Sequence, residues 1–260
     1  MHPFRKTLIA TSLASCALIA PAHANTLVIE DQLEQISSGN TNFDTWKFNI
    51  QALGAFTVDV AAYEATQSST STTGYQAIDI NGDGELTWLD PDTQWYKDDG
   101  HLDSPDDAIV RCDDTANNCP RYPGSTQMNS STVVPGPISI ATHQQSEASV
   151  DGSVHVRRDP WYDITFSETG NFMMLVAAYT LNYAEANSGV NTTDFTPPGG
   201  FVGTPVLDHA DYKITLSSNT LNFSRSGNII TVTSVPLPGA VWLFGSALAG
   251  LGAFGRRKAV

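Results

Sequence analysis

The residues of this chain whose types and spacing are best suited to chemistry run Asp79-Ile80-Asn81-Gly82-Asp83-Gly84-Glu85-Leu86-Thr87-Trp88-Leu89-Asp90. They follow the calcium-loop spacing D-x-[DN]-x-[DN]-G, with an acid at position twelve. Hard Ca2+ takes roughly six to eight oxygen ligands. Side chains at positions one, three and five converge only if the chain turns sharply at position six, where Gly84 frees φ. Asp79, Asn81 and Asp83 would then supply side-chain oxygens, and Glu85 its backbone carbonyl. Thr87 would give a hydroxyl or a bridging water, and Asp90 the closing carboxylate. Leu86, at position eight, is expected to pack beneath the loop. The alternative is an Asn-Gly-Asp-Gly turn with solvated acids.

Two departures narrow the type of site. Asp90 stands where glutamate is commonest, and Pro91 follows at once, so a long flanking helix and a helix-opening sensor are not expected. The shorter closing carboxylate resembles the dockerin-type loops of exported proteins, which implies affinity near the weak, extracellular end of the range. From Asp79 to Asp114 there are 12 acids against Lys97 and Arg111. Asp98, Asp99, Asp103, Asp106, Asp107, Asp113 and Asp114 would form a second, irregular cation site or a solvated acidic face. Such a segment repels itself, and Ca2+ would order it and stabilise the fold by linkage.

The whole chain of 260 residues carries 27 acids, 13 bases and a net charge of −14. Five bases (Arg5, Lys6, Arg256, Arg257, Lys258) sit at the ends, which leaves 27 acids against 8 bases between them. That balance excludes a nucleic-acid partner, which needs a surplus of Lys and Arg. No H-E-x-x-H, G-x-S-x-G or phosphate loop occurs, and His101, His143, His155 and His209 are scattered. His209 and Asp211 with some serine could meet only through the fold. The expectation is therefore a non-enzymatic protein, with a surface hydrolase of unrecognised site as one alternative. A carbohydrate-binding module of the extracellular matrix is another. Trp88, Trp95, Tyr96 and Trp161, if exposed, could stack on sugar rings, whereas core packing is the plainer expectation for them.

The elements that must position these residues read as strands. Trp46, Phe48 and Ile50 alternate with polar residues, and beyond Gly54 so do Phe56, Val58 and Val60, which predicts a hairpin. Tyr162, Ile164 and Phe166 lead to an apolar run, Asn171 to Val176, expected to be central in its sheet. Further strands are expected at Thr26–Ile29, Tyr212–Leu216, Leu221–Phe223 and Ile229–Val235. Gly54-x-Phe56-x-x-x-Val60-Ala61-Ala62-Tyr63 matches Gly170-x-Phe172-x-x-x-Val176-Ala177-Ala178-Tyr179, a likeness that shared packing demands explain better than duplication. The fold class expected is all-β, an antiparallel, jelly-roll-like β-sandwich interrupted by a long acidic loop insertion at about 65–159. Asp44-Thr45-Trp46-Lys47-Phe48 and the following glycine turn resemble bacterial pre-peptidase C-terminal sandwiches, some of whose exported relatives carry sorting tails.

Both ends read as addresses. A basic head, an apolar stretch from Thr7 to Ala20 and Ala22-His23-Ala24 form a signal peptide over residues 1–24, cleaved by signal peptidase. Leu13-Ala14-Ser15-Cys16 resembles a lipobox, but the apolar run continues past Cys16. At the other end, residues 235–260 begin Val235-Pro236-Leu237-Pro238, continue without charge to Gly255 and stop at Arg256-Arg257-Lys258. A span of this kind, with bases after it, inserts with its C-terminus in the cytoplasm. The motif, the Trp242-Leu243-Phe244-Gly245 core and the basic stop together resemble the PEP-CTERM sorting signals of the V-P-L-P-A variant. That resemblance implies transient membrane insertion, cleavage by an exosortase and delivery to the surface or the exopolysaccharide matrix of a biofilm. With Cys16 removed, Cys112 and Cys119 form an even pair around a polar turn, where a local disulfide is expected outside the cytoplasm. The body, residues 25–234, is thus read as an exported domain with Ca2+ as its cofactor.

Overall fold

In the computed structural model, residues 25–62, 64–65, 75–77, 79–100, 108–112, 137–142, 159–197, 201, 203–235 and 246 are described. Ala24–Val235 forms one compact unit. Its elements are β1 (Asn25–Ser37), β2 (Asn40–Thr41), β3 (Asp44–Ile50), β4 (Ala55–Ala61), β5 (Glu64–Ala65), β6 (Tyr75–Gln76) and β7 (Pro91–Lys97). There follow β8 (Ala108–Cys112), β9 (Ile138–Thr142), β10 (Trp161–Phe166), β11 (Gly170–Ala178) and α1 (Tyr183–Ser188). The last strands are β12 (His209–Ser218), β13 (Leu221–Ser226) and β14 (Ile229–Ser234).

The described residues are mostly β-strand, gathered into two six-stranded sheets ordered β2-β1-β12-β4-β10-β9 and β13-β14-β3-β11-β7-β8, with β5 and β6 paired separately. The alternating apolar positions decide which faces meet. Phe56, Ile164, Ile214 and Leu216 of the first sheet and Phe48, Trp95, Phe172 and Val232 of the second share one buried core. Phe56 lies 6.2 Å from Phe48 and 6.5 Å from Trp95 across the layers. Each such side chain contributes about 1.5–3 kcal/mol by leaving water.

Two hydrogen bonds tie the layers at matched places. Trp46 Nε1 on β3 donates to Tyr212 Oη on β12 at 3.0 Å, and Trp95 Nε1 on β7 donates to Tyr162 Oη on β10 at 2.8 Å. The tyrosines flank β4 in one sheet and the tryptophans flank β11 in the other.

Three expectations need correction. First, β3 and β4 do not form a hairpin: β3 pairs with β11 and β14, and β4 pairs with β10 and β12. The chain crosses from one sheet to the other between them, and again between β10 and β11. Alternation reports that one face is buried, not which strand lies alongside. Gly54 fits this crossing because a Cβ there would stand 3.2 Å from the Leu221 side chain. The likeness between the segments at Gly54 and Gly170 follows from equivalent places, since each leads from a crossing into an interior strand of its sheet. Second, the sheets are not wholly antiparallel, because β14 runs parallel to β3. Third, residues 65–159 are not simply a loop insertion. β7 pairs with β11 inside the second sheet, β8 borders it, and β9 borders the first. The strand β7 escapes a periodicity reading because its buried Asp92, Thr93 and Gln94 are polar but paired. Asp92 accepts from Arg111 Nε at 2.9 Å and from the Leu181 backbone N–H at 3.1 Å, and the Thr93 hydroxyl donates to the Cys112 carbonyl at 2.9 Å.

The run at β11 is central, as expected, and both of its faces are covered. Phe172, Met174 and Val176 enter the main core, while Met173, Leu175 and Ala177 pack with Leu181 and Ala186 under α1. A capping box starts that helix: Asn182 accepts from the Glu185 N–H, and Glu185 accepts from the Asn182 N–H.

Candidate cation site

The twelve-residue loop enters as a tight local turn. Asp79 spans two backbone donors, accepting from Gly82 N at 2.7 Å with Oδ1 and from Gly84 N at 3.0 Å with Oδ2. Asp83 accepts from Glu85 N at 2.8 Å and from Asn81 Nδ2 at 2.8 Å. Bonding to the Glu85 N–H, and then to Asn81, holds the Asp83 carboxyl below its usual range. Gly84, at position six, has φ +95°, a conformation that the sharp turn demands and that side chains resist. Asp79, Asn81, Asp83 and Glu85 are all exposed residues at the surface of the turn.

The second half of the loop joins the body. Leu86 does not pack beneath the loop: its side chain is 40% exposed, and its carbonyl accepts from Val206 N at 2.9 Å. Leu89, three residues on, is the one in the core. Thr87 is fully buried, and its hydroxyl accepts from the Asp211 N–H at 3.2 Å. Asp90 is tied to the end of β11, where its carbonyl accepts from Tyr179 N at 2.8 Å, and it lines a groove with Trp88, Asp194 and Phe195. Among the described residues, no group of three or more His, Cys, Asp or Glu side chains stands together in a way that could hold a metal ion. The arrangement offers a preformed acidic turn whose carboxylates are held by backbone donors.

The first residues of β12 border this turn. His209 Nε2 lies 3.4 Å from Glu85 Oε2, and its Nδ1 lies 2.9 Å from Asp208 Oδ1. With both ring nitrogens facing carboxylates, His209 has none directed at a serine. Asp211, two residues on, is only 2% exposed, and its Oδ2 has no hydrogen-bond partner. Burial, then the charges of Asp83 and Asp79, push Asp211 above the usual carboxylate range, against the opposing pull of His209 and the Thr87 hydroxyl. Sequence reasoning weighed Asp211 only as a partner of His209. The signal available was an acid inside an alternating strand, where aspartate is disfavoured.

The remaining expected sites fare unevenly. Cys112 is buried at the end of β8 and disulfide-bonded, whereas Cys119 lies outside the described residues. Val235 closes the body, its N–H donating to the Thr220 carbonyl at 3.1 Å. Pro236, Leu237, Pro238, Arg256, Arg257 and Lys258 lie outside the described residues, as do the signal peptide and most of the second acidic group. Among the described residues no helix is long and apolar enough to cross a membrane. Trp88, Trp95, Tyr96 and Trp161 are all buried, so none presents a flat ring to a sugar. Trp88 packs edge-on against Phe201 with ring centres 4.7 Å apart. No known family model, curated protein or solved structure matches this chain.

Proposed function

We propose that the chain is an exported, non-enzymatic β-sandwich protein whose fold is stabilised by Ca2+ bound at the Asp79–Asp90 loop. Its C-terminal tail would address it to the cell surface or the extracellular matrix, through signal peptidase and an exosortase-type protease. The geometry of the turn carries the calcium proposal. Asp79 grips the N–H groups of Gly82 and Gly84, which brings the first ligand position beside the glycine of position six and supports this reading. The localisation rests on the two terminal sequence patterns. Trp88, Trp95, Tyr96 and Trp161, on which the carbohydrate-binding alternative rests, are buried and give it no support.

Thermal melting with and without Ca2+ tests the cation site. With a Kd of about 0.1–1 mM, near the extracellular end of the range, about 10 mM Ca2+ adds on the order of 1.5–2.5 kcal/mol. For a domain of this size that raises Tm by about 3–10 °C. Asp79→Ala with Asp83→Ala should abolish the rise. A wild-type melting curve indifferent to Ca2+ refutes the site.

A further inference from the structure

Asp211 sits on the face of β12 opposite the core: its neighbours Ala210 and Tyr212 point into the core, and Asp211 alternates with them. A carboxylate on that face would normally be solvated. Here it is 2% exposed, with the covering segment contributing the Thr87 hydroxyl at its backbone N–H. One carboxylate oxygen, Oδ2, is buried without a hydrogen-bond partner. A desolvated carboxylate oxygen is costly unless something positive meets it. The charged groups that act on it are His209 of its own strand and two carboxylates of the turn, Asp79 and Asp83. The loop and β12 therefore meet at this place: the Thr87 hydroxyl accepts from the Asp211 N–H at 3.2 Å, and Glu85 Oε2 lies 3.4 Å from His209 Nε2. His209 is partly occupied there by Glu85 and Asp208. Hydrogen bonds inside the turn do not account for this, because Asp211 belongs to the sheet and not to the loop.

We infer that Asp211 is a ligand of the cation site, supplying from β12 a carboxylate that the Asp79–Asp90 segment does not provide by itself. This inference rests on the calcium-loop proposal and deepens it. A divalent cation placed between the turn and Asp211 would give the orphaned oxygen its partner and offset the mutual repulsion of Asp79, Asp83 and Asp211. It would also clamp the loop to β12, which lies next to β1 and β4 in the first sheet. Binding at the turn would thus be transmitted to the sheet through a coordinate bond, and a peptide of the loop alone would lack a ligand. Asp90, which lines a groove with Trp88, Asp194 and Phe195, would contribute less than its position in the motif suggests.

The test is calorimetric titration of the full chain in mild detergent with Ca2+, using wild type, Asp79→Ala, Asp90→Asn and Asp211→Asn. Circular dichroism melting without Ca2+ serves as the folding control. Asp211→Asn is expected to weaken Ca2+ binding at least tenfold while leaving the Ca2+-free melting temperature equal or higher, since it removes a buried charge. A merely structural Asp211 would not couple those two outcomes. Asp90→Asn should weaken binding less than Asp211→Asn. If Asp79→Ala loses binding while Asp211→Asn binds within twofold of wild type, the role of Asp211 is overturned and the loop stands. If wild type takes up no Ca2+, or Asp79→Ala binds as wild type does, the loop itself fails and this inference falls with it.

Discussion

Replacing Tyr212 by Phe tests whether the two layers are held by satisfied polar bonds as well as by apolar contact. The Tyr212 hydroxyl is buried, accepts from Trp46 Nε1 at 3.0 Å and donates to Asp44 Oδ2 at 2.5 Å. Its removal orphans the buried Trp46 N–H, which costs about 1–3 kcal/mol, and takes from Asp44 a charge-assisted bond worth about 1.5–3 kcal/mol. Asp44 is only partly buried, so water recovers part of the second loss, and the expected total at pH 8 is about 2–4 kcal/mol. The pH dependence separates the two contributions. Burial pushes the Asp44 carboxyl up to about 6, despite the bond from Tyr212. Below that pH Asp44 is protonated in the folded protein, and the loss should shrink to the Trp46 share, about 1–3 kcal/mol at pH 5. Tyr162→Phe is the comparison. It orphans Trp95 Nε1 in the same way, but the partners Trp95 and Thr93 do not titrate, so its cost of about 1–3 kcal/mol should be equal at both pH values. Urea unfolding at pH 5 and pH 8 measures both, read from midpoints at unchanged m. A Tyr212→Phe cost below about 0.5 kcal/mol at pH 8 would refute the bonding, and one independent of pH would refute the part assigned to Asp44.

Asp44→Asn should act in the opposite sense. A folded pKa raised above the ordinary carboxylate value adds stability at low pH that is lost as pH rises through about 6. The Asn variant should therefore exceed wild type by up to ~2 kcal/mol at pH 8 and match it near pH 4, in the same urea assay. Arg111→Ala should destabilise the domain by about 3–5 kcal/mol, because it strips the buried Asp92 of its cation; a loss under ~1 kcal/mol would show the pair to be dispensable. Intact-mass measurement on the native exported protein should find a start near Asn25 and an end near Pro236–Pro238. A mature species retaining residues 240–260 would defeat the sorting proposal.

Much of the architecture was legible because alternation is a direct record of burial. The strands at Trp46, Phe56, Tyr162, Tyr212, Leu221 and Ile229 lie where the alternating pattern puts them, and the one at Phe172 where a continuous apolar run does. What alternation does not carry is the identity of the neighbour. The segment Trp46–Val60 reads equally well as a hairpin or as a crossing between layers, and only the pairing of β3 with β11 and β14, and of β4 with β10 and β12, distinguishes them. The strand β7 was hidden for a different reason. Its inward polar residues look like surface until Arg111, Leu181 and Tyr162 are brought to them from far along the chain. The aromatic residues Trp88 and Trp95 were ambiguous for the same cause, since exposure is not a local property.

The opening calcium-loop pattern divides along the same line. The spacing of Asp79, Asn81, Asp83 and Gly84 alone specifies the turn, because residues one to six bond mainly to one another and their geometry is set by glycine φ freedom and short-range hydrogen bonds. The order of the strands, the two tyrosine–tryptophan ties and the burial of Asp211 beside that turn belong to the tertiary structure. They depend on contacts between residues more than a hundred positions apart, such as Thr87 with Asp211 and Trp46 with Tyr212. Short-range bonding is written into adjacent residues. A buried carboxylate oxygen without a hydrogen-bond partner exists only once the sheet and the loop have closed over it.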